Sequence, residues 1–175
     1  MTFWRATTLK HSDVLERKPG PGILLRELHD FVQDRIVVDG FYFAVAAARF
    51  SRQGHHMSFA AAGHPPAILV SNDVLRLLGP QNGILGCFSE IAPSDSVSEI
   101  ELAKGDRLIF YTDGLVEVFN SLDDMLGVEG LQTLVLESAQ RPIQELKQGI
   151  LNGVTTWRHG PLSDDVSLVI VEVRN

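Results

Sequence analysis

Two short acidic motifs adjoin apolar segments in this sequence of 175 residues. Asp113-Gly114 directly follows the apolar segment 107–112, and Asp164-Asp165 directly precedes the apolar segment 166–173. If the two segments are neighbouring antiparallel strands, the end of one meets the start of the other, and Asp113 and Asp164 converge. Two carboxylates brought together repel unless a cation neutralises them, and hard oxygen ligands favour Mg²⁺ or Mn²⁺. The spacing therefore indicates a divalent-cation site.

The residues beside Asp113 fit the same hypothesis. Gly114 permits a tight turn and the close approach of another group, because it has no Cβ. If the chain turns helical after Gly114, Glu117 returns to the side of Asp113. Taken alone, an Asp-Gly pair after a strand is equally typical of a turn, and Asp-Asp of a solvated loop. Only their convergence would make a site.

Composition restricts the class of protein. Fifteen Lys and Arg against 22 Asp and Glu give a net charge of −7, which disfavours binding to nucleic acid and to anionic lipid. Cys87 is the only cysteine, so no internal disulfide can form and a reducing compartment is favoured. The longest apolar stretch, 41–48, is far shorter than the roughly 20 residues of a membrane helix. The first residues lack a basic segment followed by an apolar core, so we expect no secretory signal. We expect a cytoplasmic protein with no membrane or nucleic-acid partner.

Hydrophobic periodicity predicts a single domain over residues 1–175 in which strands and helices follow one another. Helices are predicted at 21–34, 126–138 and 142–157. Strands are predicted at 41–50, 56–62, 67–71, 74–78, 97–102, 106–112 and 166–173, with hairpin turns at 51–54 and at 103–105. The last strand is nearly all apolar, which predicts cover on both faces. This pattern indicates an α+β fold with mainly antiparallel sheets.

Four short motifs occur together in a characteristic order. They are Ala62-Gly63-His64-Pro65-Pro66, Gly83-Ile84-Leu85-Gly86, the segment 105–117 that contains Tyr111-Thr112-Asp113-Gly114, and Asp164-Asp165-Val166-Ser167-Leu168. Over residues 20–175 the series resembles the bacterial branch of the metal-dependent (PPM-type) protein serine/threonine phosphatases, which includes stage II sporulation protein E and the sigma-B regulators.

The resemblance implies a fold and a set of roles. The fold is a layered α-β-β-α sandwich of mainly antiparallel sheets flanked by helices, with two Mn²⁺ or Mg²⁺ ions that activate a bridging water. Asp113 and Asp164 match metal ligands, and Asp165 matches a non-ligating neighbour. Glu117 matches an acidic position near a weaker third metal, and His64 matches a loop residue with a structural role.

The sequence also departs from the family pattern. Ala61 stands where the family commonly has Asn, so the resemblance implies that some hydrogen bonds of that loop are not kept. The Asp-x-x-Gly-His-Gly motif and an earlier acidic strand are missing, and Asp39-Gly40 is interpreted as a turn. The resemblance thus implies that the N-terminal strands of the domain are missing. It also implies that metal is bound weakly or not at all and that this chain alone has little turnover.

The functional hypothesis is a phosphatase that acts on phosphoserine or phosphothreonine in a partner protein, by resemblance an anti-sigma-factor antagonist. The alternative is a catalytically incomplete binding or regulatory module on the same scaffold. A phosphatase of the haloacid dehalogenase type is disfavoured, because Tyr111 occupies the position of its nucleophilic Asp. Uncovered strands such as 41–50 predict a homodimer, or a covering N-terminal or sensor domain.

Overall fold

The computed structural model describes residues 19–35, 42–52, 55–79, 83–86, 97–162 and 164–174. These residues form three α-helices and two antiparallel sheets, which confirms the predicted α+β class. In chain order the elements are α1 (Pro21–Arg35), β1 (Val45–Phe50), β2 (His56–Ala62), β3 (Ala67–Ser71), β4 (Val74–Leu78), β5 (Ser98–Glu101), β6 (Arg107–Tyr111), a 3-10 turn (Asp113–Leu115), α2 (Gly127–Ser138), α3 (Ile143–Trp157) and β7 (Leu168–Glu172).

Contacts divide the chain into two compact units. Unit 1 comprises Met1–His64 and Pro80–Leu102. Its sheet has the order β1-β2-β5, and α1 lies against β1 and β2. Pro21 opens α1, and Leu25, His29 and Val32 are buried one helical turn apart. The alanines of β2 let the helix approach closely, so that Leu25 packs on Ala60 and Ala62.

Unit 2 comprises Pro65–Gly79 and Ala103–Asn175. Its sheet has the order β4-β3-β6-β7, in which β6 pairs antiparallel with both β3 and β7. Helices α2 and α3 pack on each other, and their buried side chains join those of β3 and β6 in one apolar cluster. The helical members of that cluster are Leu131, Val135, Leu146, Ile150 and Val154. This packing fixes the sheet that carries the acidic motifs.

The structure confirms most predicted elements and corrects two expectations. The turn at 103–105 does not join a hairpin, because β5 pairs with β2 in one sheet whereas β6 pairs with β3 and β7 in the other. The amide of Gly105 instead donates to the carbonyl of Val173. The last strand is not covered on both faces, since Val169 of β7 is half exposed.

Some predictions lie outside the described residues. The turn predicted at Asp39-Gly40 is among them, and Cys87 and residues 1–18 are likewise not described. The strand predicted at 41–50 is a strand from Val45 onward, preceded by an isolated bridge between Phe43 and Leu85. None of the helices in the described ranges combines the length and the apolar character needed to cross a membrane.

Candidate metal centre

The predicted adjacency of the two acidic strands is confirmed. Strands β6 and β7 pair antiparallel, with Tyr111 opposite Leu168, and the amide of Thr112 donates to the carbonyl of Ser167 over 3.1 Å. Asp113 follows this ladder on β6 and Asp164 precedes it on β7. Both therefore lie at one end of the unit 2 sheet. We call this end, made of residues 112–117 and 164–167, the acidic end.

The side chain of Thr112 ties the two segments together. Its hydroxyl donates to the carbonyl oxygen of Asp165 over 2.9 Å and accepts from the amide of Ser167 over 2.8 Å. Sequence reasoning did not identify this role of Thr112. The only signal available was its position directly before Asp113, between a buried strand and an acidic turn.

Gly114 makes the closest approach between the two segments. A Cβ atom placed on Gly114 would lie 2.6 Å from the carbonyl oxygen of Asp165 and 3.2 Å from the carbonyl carbon of Asp164. Real Cβ atoms do not approach backbone so closely, so this position requires glycine. The contact shows that the backbones of the two acidic motifs touch.

The two aspartates have similar surroundings. One carboxylate oxygen of Asp113 accepts from the amide of Gly114 over 3.0 Å, and one of Asp164 accepts from the amide of Asp165 over 2.7 Å. Both side chains are exposed, and neither forms an ion pair with a residue that the structure describes. Each aspartate therefore retains an oxygen that is free to bind a cation.

Glu117 follows one turn of 3-10 helix. The amides of Val116 and Glu117 both donate to the carbonyl of Asp113 over 2.8 Å, so the chain turns after Gly114 as predicted. Leu115 and Val116 are buried in the core, whereas the side chain of Glu117 is exposed. Within the described ranges, no three His, Cys, Asp or Glu side chains are grouped closely enough to hold one ion. The ligating roles of Asp113, Asp164 and Glu117 remain predictions.

Tyr111 lies directly behind the acidic end. Its side chain is 2% exposed, and its hydroxyl has no hydrogen-bond partner among the described residues. Burial, with a smaller contribution from the charge of Glu129, raises the pKa of Tyr111 from 10.0 to about 12. The phenol is therefore neutral at physiological pH, and Tyr111 packs in the apolar cluster of unit 2.

The Gly-His-Pro-Pro segment follows β2, and its His64 belongs to unit 1. Gly63 has a φ of +63°, and a Cβ there would lie 2.5 Å from Cγ1 of Ile84. Glycine is thus needed on both conformational and steric grounds. The structural role of His64 stays a prediction. Ala61, the departure from the family pattern, is fully buried and lies opposite Ala46 of β1.

Comparison with known families decides the identity of this scaffold. The sequence profile of the stage II sporulation protein E (SpoIIE) family matches residues 2–174. The chain belongs to the SpoIIE family. This result confirms the resemblance to PPM-type serine/threonine phosphatases.

Individual relatives of this SpoIIE-family chain are distant in sequence but similar in fold. The phosphoserine phosphatase RsbU of Bacillus subtilis is 23% identical over 153 residues, which are 86% of this chain and 44% of RsbU. The SiaA-PP2C domain of Pseudomonas aeruginosa is 15% identical with a TM-score of 0.79, over 93% of this chain and 65% of that one. The RsbU and RsbW domains of Rv1364c from Mycobacterium tuberculosis are 23% identical with a TM-score of 0.73, over 91% and 44% of the two chains. The chain thus spans less than half the length of RsbU.

Proposed function

We propose that this chain is a protein serine/threonine phosphatase domain in which Asp113 and Asp164 hold a divalent cation, Mn²⁺ or Mg²⁺. One observation carries the proposal: the backbone of Gly114 packs against the backbone of Asp164 and Asp165. That contact brings together two acidic motifs which are 51 positions apart in the sequence. Membership of the SpoIIE family supports the phosphatase chemistry.

The chemistry of the residues fits a hard cation. Asp113 and Asp164 offer oxygen ligands, and no Lys or Arg within the described residues neutralises either carboxylate. Two carboxylates are few for an ion that takes six ligands, so we expect weak binding with water completing the coordination. A binuclear centre would need a further acidic ligand beyond these two, and Glu117, four residues after Asp113, is the remaining predicted ligand.

The residues of the acidic end have separate tasks. When bound, the cation would supply Lewis-acid stabilisation of the phosphoryl oxygens and acidify a water molecule. The chain itself positions the ligands. The hydroxyl of Thr112 donates to the carbonyl of Asp165, and Gly114 permits the close contact between the two acidic segments. Asp165 is assigned as a non-ligating neighbour.

The substrate class follows from the relatives. RsbU is a phosphoserine phosphatase, and the mycobacterial protein carries an RsbU domain and an RsbW domain in one structure. The name of RsbU supports a phosphoserine or phosphothreonine substrate. We propose that this substrate is a regulatory partner protein, of the type of an anti-sigma-factor antagonist, which the resemblance to the sigma-B regulators implies.

A second candidate is a regulatory module that keeps the scaffold without turnover. Two observations favour it. The described residues contain no three-ligand group, and the sequence has no Asp-x-x-Gly-His-Gly motif. This candidate predicts that phosphopeptides bind without being hydrolysed. We expect little or no turnover from the purified 175-residue chain, so metal binding is the measurement that tests the site.

Titration calorimetry with Mn²⁺ tests the proposal directly. We expect measurable binding to the wild type and at least a tenfold loss of affinity in both Asp113→Asn and Asp164→Asn, because each substitution removes one anionic ligand. Glu137→Gln is the matched control, since Glu137 is an exposed acid on α2 outside the acidic end. Silent traces for wild type and variants alike would support the scaffold-only candidate. Rapid Mn²⁺-dependent hydrolysis of a phosphopeptide by this chain would contradict our expectation of low turnover.

A further inference from the structure

An apolar surface lies on the chain segment that follows the acidic end. Residues 116–127 form a narrow hairpin in which the amides of Leu126 and Gly127 donate to the carbonyls of Val118 and Val116. Phe119 and Met125 form a bridge across it. Phe119 is 46% exposed, Met125 51% and Leu122, near the tip, 79%.

The C-terminus of α3 extends this surface. The indole nitrogen of Trp157 donates to the carbonyl of Asp124 over 3.3 Å, and the amide of His159 donates to the carbonyl of Phe119 over 2.8 Å. Trp157 is 38% exposed. We call Phe119, Leu122, Met125 and Trp157 together the hairpin surface. Single exposed apolar residues are ordinary, whereas several on neighbouring segments favour an interaction site. Phe, Trp and Met are also the residues enriched in interfaces.

The hairpin holds these side chains outward in a fixed geometry. The side-chain oxygen of Asn120 accepts from the amides of Leu122 and Asp124, at 2.8 and 3.0 Å, and the backbone of Asp123 is left-handed with φ +61°. The amide of Asn120 also donates to the carbonyl of Asp124. A tip stabilised in this way loses little conformational entropy when a partner binds. The exposure of Leu122 is therefore built into the fold.

The charge around the hairpin surface specifies the partner. Residues 108–140 contain no Lys or Arg, whereas their acidic residues are Asp113, Glu117, Asp123, Asp124, Glu129 and Glu137. Arg158, half buried, is the nearest basic side chain in sequence to Trp157. An apolar surface carried by a stretch of chain with acidic but no basic residues is complementary to a segment that carries apolar and basic side chains.

The hairpin surface also lies within reach of the acidic end. Glu117 and Phe119 are two residues apart, which is at most about 7 Å of chain. We propose that the hairpin surface docks the polypeptide that flanks the phosphorylated residue of the substrate, and that this flank carries apolar and basic side chains. This inference rests on the proposed function, because it treats the acidic end as the place where the phosphoryl group binds.

The test uses the full chain and fluorescein-labelled phosphoserine peptides flanked by Leu and Lys, or by Leu and Glu. Fluorescence anisotropy is expected to show binding of the Leu/Lys peptide and at least tenfold weaker binding of the Leu/Glu peptide. Leu122→Ser and Phe119→Ser should each weaken binding of the Leu/Lys peptide at least tenfold. Val74→Ser is the matched control, because Val74 is 68% exposed on β4, away from the hairpin, and its loss should change nothing. Thermal melts confirm that the variants are folded.

The outcomes separate the two proposals. Leu122→Ser should keep the Mn²⁺ affinity of the wild type, whereas Asp113→Asn should lose Mn²⁺ but still bind an unphosphorylated Leu/Lys peptide. Equal peptide affinities of Leu122→Ser, Phe119→Ser and wild type, or of the Lys and Glu peptides, would overturn the docking inference alone. Absence of Mn²⁺ binding in the wild type would overturn the proposed function. If light scattering shows a dimer that Leu122→Ser converts to a monomer, the hairpin surface joins two copies and the docking inference is wrong.

Discussion

At the scale of single residues, Tyr111 shows how the core beneath the acidic end constrains the protein. Its hydroxyl is buried without a partner in the described part of the chain, and the pKa of Tyr111 is raised to about 12. A buried hydroxyl without a partner gains nothing from hydrogen bonding and disfavours the charged phenolate. The aromatic ring, rather than the hydroxyl, is what the fold uses at this position.

The raised pKa of Tyr111 predicts a loss of stability at alkaline pH. The unfolded phenol ionises near pH 10.0 and the folded one near pH 12, so the stabilisation is complete below pH 10 and disappears as pH rises towards 12. Two pKa units correspond to about 2–3 kcal/mol. In Tyr111→Phe the part of the decrease in the free energy of unfolding that comes from ionisation of Tyr111 should be absent. At pH 7 the free energy of unfolding of this variant should differ from the wild type by less than about 1 kcal/mol.

Urea denaturation between pH 8 and pH 12 measures this effect. Tyr42→Phe is the matched control, since Tyr42 is the only other tyrosine and is 59% exposed. Tyr42→Phe should follow the wild type across the whole range. Identical pH profiles for Tyr111→Phe and the wild type would show that Tyr111 ionises freely and is not buried as described.

At the scale of elements, the pairing of β6 with β7 builds the candidate site. The ladder sets Tyr111 opposite Leu168, and beyond it Thr112 and Gly114 bind the segment that carries Asp164 and Asp165. Each strand alone would deliver one acid to a solvated turn. Their register brings the two turns together, as the proposed cation site requires.

Gly114→Ala should disturb this junction. The added Cβ would meet the carbonyl oxygen of Asp165 at 2.6 Å, and that oxygen is held by Thr112, so the two segments must separate. We expect a loss of about 1–3 kcal/mol in the free energy of unfolding and weaker Mn²⁺ binding. Urea denaturation should show a lower midpoint at unchanged slope.

Gly79→Ala provides the control for Gly114→Ala. Gly79 belongs to the same unit, and a Cβ there would meet nothing within 4 Å. Its substitution should leave stability within about 0.5 kcal/mol of the wild type. Equal midpoints for Gly114→Ala and Gly79→Ala would mean that the two acidic segments are not in contact.

Hydrophobic periodicity predicted the limits of the helices and strands well. It predicted less well which strands pair with each other. The helix predicted at 21–34 is α1, and the strand predicted at 56–62 is β2 with the same limits. The prediction of a hairpin at 103–105 was wrong. A Gly-containing turn indicates that the chain reverses, but it does not indicate which sheet the strands on either side of it join. The adjacency of β6 and β7 was predicted, since an acid at the end of each apolar segment suggested it. The hydrogen bonds of Thr112 were not, because its partner Asp165 lies 53 residues away.

At the scale of the whole molecule, the negative net charge and the acidic end both favour the binding of cations. The two contributions can be separated by experiment. The chain carries a net charge of −7, which attracts any divalent ion weakly and from all sides. A site made by Asp113 and Asp164 attracts one ion at one place. Only the second effect disappears when a single carboxylate is neutralised.

Binding at a site that exists only in the folded chain must also stabilise that chain. At a Mn²⁺ concentration ten times the dissociation constant, the gain is about 1.4 kcal/mol. For a protein of this size, that corresponds to a rise of roughly 3–6 °C in Tm. Melting curves at constant ionic strength should show this rise in the wild type and in Glu137→Gln but not in Asp113→Asn, which retains most of the net charge. An equal rise in all three would show that Mn²⁺ acts through overall charge, and the acidic end would then hold no ion.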